Sequence, residues 1–133
     1  MKTARIFAVA LLIIASGLAL SVAHSQQTAI KRTELQRHDL SIPGREAIQV
    51  RGDFPPGAAV PRHTHPGEEL VYVLEGAIEF QLEGQPPVTV KVGEVFFVPA
   101  GTVHTAKNVN SGNSAALSTY IVEKGKPLLT LAK

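Results

Sequence analysis

From Glu34 onward no stretch of ten residues holds a helical apolar period; short runs of β-branched, aromatic and aliphatic residues follow one another, each stopped by Gly, Pro, Asn or Asp. That punctuation leaves room for antiparallel β architecture and little else. It predicts strands at Leu35–Leu40, Ala47–Phe54, Val60–His65, Glu69–Leu74, Ala77–Leu82, Val88–Val92, Val95–Val98, His104–Asn108 and Ala115–Val122. Nine strands so closely spaced make a sandwich or a barrel, an all-β fold. Glu75-Gly76, between two apolar runs, reads as a tight hairpin, Pro55-Pro56-Gly57 and Gln85-Pro86-Pro87 as breakers, and Ser111-Gly112-Asn113 as a surface loop. Gln26 to Arg32 is polar and aperiodic, and reads as a flexible lead-in.

The 133 residues suffice for one domain, and the first 25 read as an address rather than as structure. Lys2 and Arg5 precede an apolar run from Ile6 to Leu20, which is shorter than the roughly 20 residues a membrane span needs and has no aromatic belt. Small residues at Ser21, Ala23 and Ser25 then suit a peptidase cutting after Ala23 or after Ser25. The expectation is therefore a signal peptide over residues 1–25, one domain over 26–133, no stable membrane anchor, and a periplasmic or secreted location. There is no twin-arginine pair, so the leader resembles a Sec signal. Without Lys2 and Arg5 the 13 basic residues become 11, against 11 acidic ones, and the scattered Lys and Arg form no stripe for nucleic acid. The absence of cysteine rules out disulfides, thiolate metal sites, a cysteine nucleophile and an acylated lipoprotein.

Chemistry is concentrated in the histidines. His63 and His65 stand two apart in an extended segment, so both imidazoles share one strand face. Glu69 follows beyond the turn at Pro66-Gly67, so that three side chains could converge from one hairpin. His104 comes after Pro99-Ala100-Gly101, a turn able to bring its strand alongside. Neutral imidazole and carboxylate suit borderline divalent ions: zinc, iron, manganese, nickel or copper. Taken alone, the His-x-His pair reads equally well as surface histidines beside a loop.

The spacing around these residues resembles that of the cupin superfamily over nearly all of the chain beyond the leader. Gly57, His63, His65, Glu69 and Gly76 match the first cupin motif, Gly-x5-His-x-His-x3-Glu-x6-Gly, and Gly93, Pro99, Gly101, His104 and Asn108 match the second, Gly-x5-Pro-x-Gly-x2-His-x3-Asn. The resemblance implies a single jelly-roll-like β-barrel of the small bacterial, quercetinase-like kind, holding one divalent transition metal on His63, His65, Glu69 and His104. The sixteen residues from Ala77 to Val92 leave room between the motifs for a hairpin and no inserted domain. Alternation puts Ile78, Phe80 and Leu82 on one face, with Val71 and Val73 likewise, which predicts a mainly apolar cavity. Phe80, Asn108 and Tyr120 are the further candidate pocket residues. Asn108 reads either as a ligand contact or as a cap on buried backbone, and Tyr120, with Ser118 and Val122 on its face, as a pocket group or a core tyrosine.

Two functional classes follow from such a site. One is a metal-dependent enzyme, of dioxygenase, lyase or isomerase type, acting on a small enol- or oxyanion-forming substrate, with Glu69 as ligand and transient base. The other is a periplasmic protein that binds a metal or small ligand without turnover. Three imidazoles and a carboxylate favour zinc or copper by intrinsic affinity, for a site assembled outside the cytoplasm. Small single-domain cupins commonly pair, so a homodimer is expected, with Leu35–Leu40 as the strand reaching across.

Overall fold

Ten strands form in the computed structural model, which describes residues 29–133: β1 (Lys31–Asp39), β2 (Arg45–Phe54), β3 (Ala59–Thr64), β4 (Gly67–Glu75), β5 (Ala77–Leu82), β6 (Val88–Lys91), β7 (Val95–Val98), β8 (His104–Asn108), β9 (Ser114–Glu123) and β10 (Thr130–Leu131). The expected signal segment lies outside the described residues. Two five-stranded sheets result, in the orders β1-β2-β9-β4-β7 and β10-β3-β8-β5-β6. Every pairing is antiparallel, which confirms the all-β barrel.

The period-two patterns dictate the packing. Val71 and Val73 from one sheet meet Ile78, Phe80 and Ala106 from the other in one buried cluster, while Ile48, Val50, Tyr120 and Val122 form a second. Their alternate neighbours face outward: Leu70, Tyr72 and Leu74 on β4, and Val95 and Phe97 on β7, are exposed.

Three expectations need correction. The segments around Pro66-Gly67 and Glu75-Gly76 are not hairpins, because β3 and β5 belong to one sheet and β4 to the other; each turn carries the chain across the barrel. Gly76 crosses with φ 67°, and a Cβ there would overlap the Ser114 hydroxyl. The strand expected at Leu35–Leu40 starts earlier, inside the lead-in at Lys31, because Lys31 to Asp39 pairs along β2, with a register shift between Glu34 and Gln36. Its side chains are almost all exposed, so no amphipathic pattern announced that start. β10 also went unforeseen: two residues pairing with His63 and Thr64 have no period to read. The expected hairpin between the motifs is present as β5 and β6.

Candidate metal centre

His63 and His104 are directly opposed in the antiparallel pair of β3 and β8. A register shift between Val60 and His63 accommodates Pro61, which has no N–H for the ladder. His65 follows β3 on the same face, and its carbonyl accepts the Gly101 N–H at 3.2 Å, so the turn of the second motif is fastened to the first. Glu69 arrives from the opposite sheet through β4. All four predicted ligands are buried, each at 5% exposure or less.

The three imidazoles offer nitrogens that lie within 4.8 Å of one another. Glu69 Oε2 is 3.3 Å from Nε2 of both His65 and His104, and Nε2 of His63 is 3.2 Å from Nε2 of His65. The other ring nitrogen of each histidine is committed. Nδ1 of His63 donates to the Pro61 carbonyl at 2.7 Å, that of His65 to the Leu128 carbonyl at 2.6 Å, and that of His104 to the Thr102 carbonyl at 2.9 Å. Carbonyl oxygens only accept, so each Nδ1 carries the proton, and a neutral ring then presents a bare Nε2 lone pair to the centre. Three nitrogen lone pairs and a carboxylate oxygen thus face one small space, an arrangement that repels itself unless a cation or shared protons sit among them. The carbonyls supply the outer support by which metal-binding histidines are commonly oriented. The donor set fits a divalent transition metal.

Electrostatics agree with that reading. Burial pulls His63 down to about 4, against a weaker opposing effect of the Pro61 hydrogen bond, so its ring is neutral near pH 7. Burial alone would push Glu69 up, but hydrogen bonds from His104 and His65, with the Ser118 hydroxyl, hold it below the usual carboxylate range; without a metal this takes protons shared on Nε2 of those two rings, the positive charge that a cation would otherwise supply. Tyr120, its ring 4.7 Å from that of His65, is pushed up by burial and by the Glu69 charge, and stays a neutral phenol.

A cavity opens beside the cluster, with about 430 Å³ of empty space including its mouth. His63, Glu69 and His104 open onto it, and Val50, Phe54, Val60, Phe80 and Tyr120 wall it. Phe80 stacks on Phe96 at 4.8 Å. Phe80 and Tyr120 thus stand where the alternation put them. Asn108 does not line this cavity: its amide nitrogen donates toward the carbonyls of Phe54 (2.9 Å), Pro55 (3.0 Å) and Gly112 (2.9 Å), and its oxygen accepts from the Asn110 N–H (2.8 Å) and the Ser114 hydroxyl (2.8 Å). Of its two readings, the structure shows the backbone cap. Sequence reasoning missed Arg32, which lines the mouth, and the Leu128 carbonyl. Leu128 lies in the segment after β9, where an apolar pair behind Pro127 was the sole hint.

This barrel, with its inward histidine cluster, belongs to the cupin family: the cupin domain model matches residues 50–130. Among curated relatives, the chain is 40% identical over 87 residues to germin-like protein subfamily 2 member 2 of Arabidopsis thaliana, covering 59% of this chain and 40% of that protein. It is 40% identical over 54 residues to the dimethylsulfoniopropionate lyase DddQ of Ruegeria pomeroyi, covering 41% of this chain and 27% of the lyase. The chain spans about two-fifths of the length of the germin-like relatives it matches. In structure, it superposes on an oxalate oxidase in complex with the substrate analogue glycolate with a TM-score of 0.64 and 24% identity, covering 81% of this chain and 57% of that one. A double-stranded β-helix protein of Klebsiella pneumoniae gives a TM-score of 0.66 at 19% identity, covering 80% and 86%.

Proposed function

We propose that the protein is a metal-dependent cupin enzyme, with one divalent metal on His63, His65, Glu69 and His104, acting on a small enol- or oxyanion-forming organic substrate. The observation that carries this is geometric: the Nδ1 atoms of His63, His65 and His104 each meet a backbone carbonyl, which leaves their three buried Nε2 atoms clustered, two of them 3.3 Å from the Glu69 carboxylate. The metal would supply Lewis acidity, or a site for dioxygen, at the cavity floor. Glu69, buried yet held anionic, is the group placed to ligate and to take up a proton. The likeness to a lyase and an oxalate oxidase supports turnover of small acids. Zinc or copper is favoured over manganese, iron and nickel by intrinsic affinity, given assembly in the periplasm or outside the cell, where the leader-like residues 1–25 would send the chain. The assembled form we propose is a homodimer.

Elemental analysis of the purified protein tests the site. About one metal per chain is expected, falling strongly in His63→Ala and His104→Ala; near-stoichiometric metal in a His63→Ala/His65→Ala double variant would sink the assignment. Oxygen uptake and substrate loss with flavonols, diketones and short dicarboxylic acids then test turnover. Tight metal retention with ligand-dependent melting shifts but no turnover would favour the second reading, a binding protein, which the same four buried ligands serve equally well.

A further inference from the structure

Arg32 stands apart from the other arginines among the described residues. Arg37, Arg45, Arg51 and Arg62 each pair with a carboxylate. Arg32 has no acidic partner among the described residues, although it lines the cavity that holds His63, Glu69 and His104. Its placement follows from register. Arg32 is opposite Gly52 in the pair of β1 and β2, and Gly52 lines the same cavity, so no side chain stands between the guanidinium and the mouth. Gly52 has no positive-φ reason to be glycine; a Cβ there would come within 2.9 Å of the Phe54 ring and narrow the entrance.

Charge and size then define a ligand. Glu69 is the acidic residue of the lining and Arg32 its cation. With a divalent ion on the histidines, which is the reading this inference rests on, the cavity is net positive, walled by apolar side chains that strengthen its field. The enclosed volume is only about 30 Å³, so the buried part of a ligand is short.

We infer that Arg32 is a substrate-binding residue, the anchor for the carboxylate of a small monocarboxylic acid whose other end reaches the histidine cluster. A guanidinium offers a planar fork that matches a carboxylate, and a bond to a charged group at a half-enclosed site is worth about tenfold or more in affinity.

Zinc-loaded protein titrated with acetate, glycolate and pyruvate, each beside its neutral amide, tests this by melting shift and NMR titration. The acids should bind better than the amides. Arg32→Gln should weaken the acids about tenfold or more and leave the amides and the zinc content unchanged, and Arg32→Lys should restore part of the loss. Equal acid binding in wild type and Arg32→Gln, or acid binding no better than amide binding, would overturn the inference. Loss of zinc in Arg32→Gln would also overturn it by making Arg32 structural. If wild type fails to hold zinc, the metal reading falls instead, and the same acid-against-amide comparison on metal-free protein decides for or against Arg32.

Discussion

Asn108 shows how a single side chain can fasten three segments of the barrel. Its amide spans three carbonyls and its oxygen takes two donors, so it ties β8 to the end of β2 and to the loop before β9. Asn108→Ala leaves these buried groups unpaired and is expected to cost about 3 kcal/mol or more in denaturant melts, with metal stoichiometry preserved in the protein that remains folded. His63 makes the opposite kind of prediction, one of pH. Its folded value is about 4 against an ordinary 6.5, so between these pH values the unfolded chain binds a proton that the folded one refuses. Stability of the metal-free protein therefore falls as pH drops from about 6.5 to about 4, by up to about 3 kcal/mol. Melting the metal-free wild type and His63→Gln across this range checks it: the variant should show the shallower slope. The four candidate ligands were legible because their positions match the two cupin motifs; the residues taken alone left the His-x-His pair open to a surface reading. The carbonyls that orient them were not, since every residue has a carbonyl and only the folded path decides which one a ring meets.

At the scale of the element, the inward alternation of β4, β5, β8 and β9 was readable because one face of each is buried. Connectivity was not: Pro66-Gly67 and Glu75-Gly76 have the composition of hairpins but are crossings between sheets. What distinguishes them is the neighbour the turn presses against. A Cβ at Gly67 would overlap the Ile121 carbonyl and lie 2.7 Å from Val122 Cα, so β4 can start beside β9 only with glycine there. Gly67→Ala should push the start of β4 off β9 and displace Glu69, two residues on. A lowered melting temperature together with reduced metal content is expected. Wild-type values for both would show that the strands tolerate the shift. The start of β1 and all of β10 escaped notice for a common reason, being held by backbone pairing at a sheet edge rather than by a buried stripe.

The whole molecule leaves one face unfinished. Leu70 stands opposite Phe97, and Tyr72 opposite Val95, on the outside of β4 and β7, where Val95 is 72% and Phe97 54% exposed. With Leu74 they make one exposed apolar patch, the kind of surface that marks an interaction site when it is contiguous. A second copy is the expected cover of this face. Light scattering should give a dimer for wild type and a monomer for Tyr72→Glu/Phe97→Asp; a wild-type monomer at micromolar concentration would remove the idea. The support for His65 has a consequence in time. The ligands span positions 63 to 104, yet the carbonyl that holds His65 in register belongs to Leu128, and β10 then closes over β3. A folding chain that has brought all four candidate ligands together still lacks this clasp, so the complete site is a late product of folding, formed after β9 has docked and the segment behind it has folded back.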